Sequence, residues 1–413
     1  MKVSIIAIGD ELLIGQVVDT NSGTIAREIN PDGWAIECIR VVADAADQIE
    51  HAVRQALSET DIVLTTGGLG PTKDDITKET LRKIFGGEMI LNKAVEKNVL
   101  EVMRKRGLQI NALTAAQAYV PSSCKVIQNR VGTAPLMWFE KDGKVLVSMP
   151  GVPFEMEEMF HTDIFPMLKQ RFPETESICH RTFVVAGYSE SKLATILEKF
   201  EQEMPGNIHL AYLPKPGVVR LRLTGHDIDS SRLSATMDAL SDKLDSILGK
   251  NLICKGDKTP AEILGSLLKD KSLSVATAES CTGGNIAHEI TQIAGSSSYY
   301  KGSVVAYANE TKINILGVDA ETLEKEGAVS EPVVRQMAEG VAKRLSTDCA
   351  IATSGIAGPS GGTPEKPVGT VWIAATCSGK TVAKLFKFAG NRNRVINHAT
   401  TMAELMLIEM IKY

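Results

Sequence analysis

Thr277-Ala278-Glu279-Ser280-Cys281-Thr282-Gly283-Gly284 is the stretch from which the second half of the chain can be read. The apolar run ahead of it, Leu273 to Ala278, has the length of a short buried strand. The chain then breaks into hydroxyl, thiol and glycine, and resumes at helical spacing through Ile286, Ala287 and Ile290. A strand–turn–helix corner of this kind points backbone N–H groups into one spot, and the helix dipole adds partial positive charge there. Ser280 and Cys281 are the candidate nucleophiles at the corner. A phosphate cradle without chemistry, built from Cys281, Thr282, Gly283 and Gly284, is the alternative reading of the same turn.

Outward from this corner, strands and helices alternate. A linker around Lys255-Gly256-Asp257-Lys258-Thr259-Pro260 precedes a helix over 261–269. An alternating strand, Gly302 to Ala308, leads into Asn309-Glu310-Thr311-Lys312 at a helix start. Ser330-Glu331-Pro332 opens another helix, with Ser330 as N-cap and proline in the first turn. A strand from Cys349 to Thr353 leaves through Ser354-Gly355-Ile356-Ala357-Gly358-Pro359, a second glycine-rich exit and a candidate ligand contact at Ser354 and Gly355. Strands at 370–375 and 382–388 follow, and the last helix opens at Asn391-Arg392. Phe388-Ala389-Gly390-Asn391-Arg392 offers an anion site, because backbone N–H groups and a guanidinium fork both suit phosphate oxygens.

The first part of the chain repeats the pattern. Strands at 3–8, 61–65 and 145–148 end in Gly9-Asp10-Glu11, in Thr66-Gly67-Gly68-Leu69-Gly70-Pro71-Thr72-Lys73-Asp74-Asp75 and in Met149-Pro150-Gly151-Val152-Pro153. Strands alternating with helices predict an α/β domain with a largely parallel sheet, whose ligands sit at the carboxyl ends of strands. The glycine loop is neither dinucleotide fingerprint nor Walker loop: counting from Gly68, the third glycine position holds Lys73, and no Gly-Lys-Ser/Thr occurs. Gly67, Gly68, Gly70 and Thr72 still suit a backbone nest for phosphate. Asp74 and Asp75 suit a divalent cation held against that phosphate; an N-cap for the helix starting near Ile76 is the plainer use of one of them.

A chain of 413 residues is too long for one ordinary core and predicts two or three domains. The expected division is 1–170, 171–253 and 254–413. The middle segment, with strands at 181–185 and 218–224 and helices at 190–200 and 231–248, predicts a small α+β domain; Tyr212-Leu213-Pro214-Lys215-Pro216-Gly217 reads as turn. Seven scattered cysteines without a CxxC pair suit a reducing cytoplasm rather than a disulfide framework. The apolar start, Val3 to Ile8, runs straight into Asp10 and Glu11, so it reads as a strand and not as a signal peptide. No run is long enough to cross a membrane. A net charge of −5 argues against non-specific nucleic-acid binding.

Taken together, the motifs resemble one family along nearly the whole chain. Gly9-Asp10-Glu11-Leu12, the glycine loop from Thr66 to Asp75, and Met149-Pro150-Gly151-Val152-Pro153-Phe154-Glu155-Met156 are similar to the N-terminal domain of the CinA (competence/damage-inducible) family, which is itself similar to molybdopterin-binding proteins of the MoaB/Mog type. Ala278 to Gly284, Tyr307 to Lys312, Gly327-Ala328-Val329-Ser330, Ser354 to Pro359 and Lys366-Pro367-Val368-Gly369-Thr370-Val371 resemble its C-terminal domain, similar to the nicotinamide-nucleotide amidase PncC. The fold class implied is two α/β domains with glycine-rich strand exits, joined by a small α+β, KH-like domain. No GXXG loop for RNA occurs in that middle segment. The activities implied are hydrolysis of nicotinamide mononucleotide to nicotinate mononucleotide and ammonia, and metal-dependent hydrolysis of ADP-ribose to AMP and ribose 5-phosphate. Ser280 is then the nucleophile, with Lys312 and Tyr307 handling protons; the metal falls to Asp74 and Asp75. The expected partners are these small nucleotides and a second copy of the chain as a homodimer, with no nucleic acid and no membrane. One departure stands out: Gly132-Thr133-Ala134-Pro135-Leu136 has leucine where the family carries glycine, which places a Cβ where backbone might approach a ligand. The rival readings are a molybdopterin- or nucleotide-binding protein without turnover, and an interaction protein of the competence or DNA-repair apparatus.

Overall fold

The computed structural model describes residues 1–72, 75–109, 111–173 and 177–413. The N-terminal domain contains strands β1 (Lys2–Ile8), β2 (Ala35–Val42), β3 (Ile62–Thr66), β4 (Met89–Leu91), β5 (Tyr119–Pro121), β6 (Lys125–Ile127), β7 (Leu136–Lys141) and β8 (Lys144–Met149). One sheet has the order β2-β1-β3-β8-β7-β6, and β4 pairs with β5. β2, β1, β3 and β8 run parallel, and β7 and β6 add an antiparallel edge. The central strands β1, β3 and β8 are buried on both faces and are mostly apolar, while the edge strand β2 carries Glu37 and Arg40. Val3, Ile5, Ile62, Leu64, Val145 and Val147 face one core, while Ile6, Ile8, Val63 and Leu146 face the other. Parallel strands bring the exits after Ile8, Thr66 and Met149 to one edge, where Gly67 N–H donates to Met149 O at 3.1 Å.

The middle segment forms β9 (Ser177–Ala186), β10 (Ile208–Lys215), β11 (Val218–Asp227) and β12 (Leu252–Lys255), with helices Glu190–Gln202 and Ser230–Leu248. The sheet order is β10-β11-β9-β12. The stretch expected to be turn, Tyr212 to Gly217, is mostly the end of β10. Pro214 is tolerated in it because β10 is an edge strand, where a missing N–H breaks no ladder. The turn itself shrinks to Pro216-Gly217, where Gly217 has φ +74°.

The C-terminal domain adds β13 (Val275–Glu279), β14 (Tyr300–Val305), β15 (Cys349–Gly355), β16 (Thr370–Cys377) and β17 (Lys380–Lys387), in the order β14-β13-β15-β16-β17. β14, β13 and β15 are parallel, and β16 and β17 each reverse direction. Alternate residues therefore face opposite layers. Val275, Ile351, Val371 and Ile373 pack on helices Pro260–Asp270, Asn285–Thr291 and Arg392–Lys412. Ala276, Ala278, Ala350, Ala352 and Ala374 face helix Glu331–Leu345. Alanine on that face keeps the helix close, and Gly340 serves the same end: a Cβ there would lie 1.9 Å from Leu316 O. Ser330 holds the N-cap position as expected, but its hydroxyl donates to Gly327 O at 2.7 Å instead of capping.

By internal contacts the chain divides into two compact units. One is Met1–His180 with Gly225–Thr236, and the other is Arg181–Thr224 with Met237–Tyr413. Among the described residues no helix is long and apolar enough to cross a membrane.

Candidate active site

In the C-terminal sheet, β13, β14, β15 and β17 point the same way. Their ends deliver Ser280, Ala306-Tyr307, Ile356 to Pro359, and Asn391-Arg392 to one edge. Ser280 N–H donates to Thr353 O at 3.0 Å, and Ala306 N–H to Glu279 O at 2.8 Å, so the Ser280 backbone is fixed between its two neighbouring strands.

The residue that organises this corner is Glu279, fully buried. Its carboxylate accepts from Thr282 Oγ1 at 2.7 Å and from the backbone N–H of Gly284, Ile286 and Ala287 at 3.0, 3.1 and 2.8 Å. Burying an ion costs several kcal/mol. Four donors, each worth about 1.5–3 kcal/mol to a charged acceptor, offset that cost. The consequence corrects the reading of the turn as a phosphate cradle, because the positive end of helix Asn285–Thr291 is filled by the protein's own carboxylate. Thr282 is likewise taken, its hydroxyl lying 2.8 Å from Thr353 Oγ1 as well. Gly283 and Gly284, at φ +62° and +100°, make the turn, and only Gly283 is exposed. The sequence shows Glu279 inside the motif, but nothing in its spacing distinguishes an internal helix cap from a solvated acid.

Cys281 packs in the apolar core beneath the sheet, and burial pushes its thiol up to about 12. This removes the thiolate that a helix N-terminus would have favoured, so Cys281 contributes no side chain to a ligand. The Ser280 hydroxyl makes no hydrogen bond to protein among the described residues, and the Cys281 N–H follows it in the chain. Lys312 is 1% exposed, and its ammonium donates to Ala306 O at 2.8 Å and Tyr307 O at 3.3 Å. It forms no ion pair among the described residues. Burial lowers its pKa below the ordinary lysine value, with a weaker opposite pull from Cys281. A buried lysine held by carbonyls alone thus sits at the exit of β14, the strand paired in parallel with β13, whose end carries Ser280.

Tyr307 is 64% exposed, and its hydroxyl accepts from Arg392 Nη2 at 3.3 Å. Arg392 Nη1 donates to Gly358 O at 2.9 Å, while Asn391 caps the helix by accepting from Arg394 N–H at 3.0 Å. The guanidinium therefore ties three strand exits together, and three of its five N–H donors remain for a ligand. Ser354 is turned away from that space, its buried hydroxyl donating to Ala328 O at 2.6 Å. Gly355 is required by packing, since a Cβ would lie 2.7 Å from Thr370 O.

In the N-terminal domain the glycine loop is closed by Asp75. Its carboxylate accepts from Gly70 N–H at 2.7 Å, from Thr72 N–H at 2.8 Å and from the Thr72 hydroxyl. Asp75 does not cap helix Thr77–Phe85, which corrects that reading of it, and both of its carboxylate oxygens accept hydrogen bonds from the loop. Asp74 lies outside the described residues, as does Lys73. Asp10 and Asp44 accept from each other's backbone N–H, at 3.3 and 3.0 Å. Burial, and the neighbouring acids Asp10, Glu11 and Asp75, raise the Asp44 carboxyl against the Asp10 N–H bond. Among the described residues no group of three or more His, Cys, Asp or Glu is arranged to hold a metal ion. Gly67 and Gly68 bend the loop at φ +104° and +64°, and a Cβ on Gly67 would lie 2.1 Å from Ile8 O. Leu136 is fully buried in the sheet core. Lys78, beside this loop, was not singled out in the sequence, where it looks like any helix lysine. It is buried, donates to Gln117 O at 2.8 Å, and burial lowers it to about 8 while Asp75 pulls the other way.

Three family descriptions match the chain: a probable molybdopterin binding domain over 4–170, the damage-inducible protein CinA KH domain over 180–253, and the CinA C-terminal domain over 257–411. A CinA-like protein of Cytophaga hutchinsonii is 44% identical, with 98% of this chain and 96% of that protein covered. The chain belongs to the CinA family. A CinA-like protein of Flavobacterium psychrophilum is 40% identical, with 100% and 99% covered. Among solved structures, the competence/damage inducible protein CihA of Agrobacterium tumefaciens is 38% identical and covers 37% of this chain and 94% of its own, with a TM-score of 0.37. The three matched domains give the CinA architecture of this protein, two α/β domains with a KH-like domain between them in the chain.

Proposed function

We propose that the C-terminal domain of this CinA-family protein hydrolyses the carboxamide of nicotinamide mononucleotide. The observation that carries the reading is Lys312, buried without a carboxylate partner beside the strand end that presents Ser280. A lysine of lowered pKa supplies the neutral amine that a general base requires. Ser280 Oγ attacks the amide carbon as Lys312 takes its proton, and the backbone N–H of the adjoining Cys281 is a donor for the oxyanion. The C–N bond then breaks, the departing nitrogen takes the proton from Lys312 and leaves as ammonia, and water cleaves the acyl-enzyme. Arg392, with Tyr307 bonded to it, holds the 5′-phosphate and so fixes the amide in one orientation. Incubation with nicotinamide mononucleotide, read as ammonia and nicotinate mononucleotide, tests this; no release of either refutes it.

For the N-terminal domain we propose a nucleotide site at the glycine loop, with ADP-ribose as its ligand. Hydrolysis to AMP and ribose 5-phosphate is the reading that the family resemblance supports. Binding without turnover is the second reading, favoured by one observation: the loop's Asp75 is consumed in holding the loop itself. Release of AMP from ADP-ribose, with and without chelator, separates the two.

A further inference from the structure

A cavity of about 250 Å³ opens within the second compact unit, away from the candidate active site. It is formed by the end of β9, the turn into β12, strand β17 and the C-terminal half of helix Arg392–Lys412, the end opposite Arg392. Its wall is apolar and deformable, with Phe386, Met402, Leu405 and Met406 among the lining side chains. Its charges are unbalanced: Lys250, Lys384 and Lys412 line it against the single carboxylate side chain of Glu409. Lys384 pairs with Glu409 at 3.2 Å, and Lys412 donates to Ile253 O at 2.6 Å. Lys250 makes no hydrogen bond or ion pair among the described residues. One margin is set by the backbone, since Asn251 Nδ2 donates to Ala186 O at 2.9 Å. Gly187, at φ +82°, admits that amide where a Cβ would lie 2.7 Å from it.

An apolar wall with one unpaired ammonium at its rim, that of Lys250, complements one kind of small molecule. We infer that this cavity binds a monoanion carried on an apolar body, with a medium-chain carboxylate as its simplest form. The chain lies on Phe386, Met402, Leu405 and Met406, and the carboxylate meets Lys250. A neutral molecule of the same length satisfies the wall and leaves the lysine alone, so charge is the discriminating term.

The test is calorimetric titration of the full-length protein with octanoate and, separately, with octanol. Saturable one-to-one binding of octanoate, about threefold tighter than octanol, is expected. Lys250→Glu should weaken octanoate by about tenfold and leave octanol unchanged, because the residue is exposed and its replacement reads charge alone. Met402→Trp, at a half-buried position, should fill the space and abolish binding of both, with an unchanged circular-dichroism spectrum and cooperative thermal unfolding as proof of folding. Absence of saturable octanoate binding, equal affinity for octanol, or indifference to Lys250→Glu would each overturn the inference.

Discussion

A nucleophile needs a lone pair that is accessible at working pH and a group to take its proton. Ser280 and Cys281 are adjacent, yet their surroundings divide these requirements between them. Cys281 has the intrinsically better nucleophile, but a thiol pushed up to about 12 inside an apolar core supplies almost no thiolate. Ser280 has the weaker group together with an unbonded hydroxyl and the Lys312 amine nearby. Ser280→Ala should therefore lower ammonia release from nicotinamide mononucleotide by several orders of magnitude. Cys281→Ala should leave most of it, at a stability cost of about 1 kcal/mol. The reverse pattern in a steady-state assay would make this a thiol enzyme. Lys312 gives a second expectation, with a sign. Its neutral form is the base, and that fraction grows as pH rises. Log kcat/KM should climb with pH and level off below lysine's ordinary 10.5, because burial lowers this group. A pH–rate profile that instead falls through neutrality would make Lys312 an acid. Lys312→Met should remove the rising limb along with most of the rate.

At the scale of elements, the sequence told more about where strands end than about what their ends do. Glycine and hydroxyl residues after apolar runs marked the exits of β1, β3, β8, β13 and β15, because local punctuation is written in local residues. The bonding partners of those exits are far away in sequence, and spacing does not carry them. Glu279 turned out to be the anion at its own helix terminus, and Asp75 the tie of its own loop. Both are internal answers to donors that looked available to a ligand. The same limit explains Pro214, which reads as turn until β10 is known to be an edge. Arg392 is the element-scale residue with the clearest consequence. It sits at the first position of a helix, where a cation is mildly unfavourable, and is held there by Gly358 O and the Tyr307 hydroxyl. Arg392→Ala should raise KM for nicotinamide mononucleotide far more than it lowers kcat. Losing a charged hydrogen bond of about 1.5–3 kcal/mol corresponds to roughly ten- to a hundredfold in kcat/KM. Preference over the unphosphorylated riboside should shrink by the same factor. Undiminished preference in competition kinetics would show that the phosphate is read elsewhere.

For the molecule as a whole, the question is whether its two glycine-rich edges act separately. Each belongs to its own sheet, and each sheet closes its own pair of cores. The division by contacts also assigns them to different compact units. Substitutions that share no partners and no core normally combine additively, within about 0.3–0.5 kcal/mol, or roughly twofold in a rate. Asp75→Asn replaces one of two acceptor oxygens with an amide that faces N–H donors. That should loosen the glycine loop by about 1–3 kcal/mol and weaken ADP-ribose binding or turnover by ten- to a hundredfold. The same protein should hydrolyse nicotinamide mononucleotide within about twofold of the parent. Conversely, Ser280→Ala should leave the ADP-ribose reaction, or ADP-ribose affinity if there is no turnover, within the same margin. Both quantities are measurable on one preparation of the full chain. A tenfold loss at the unsubstituted edge, in a protein whose thermal unfolding is unchanged, would mean that the two edges are energetically coupled, and the separate-core argument would fail.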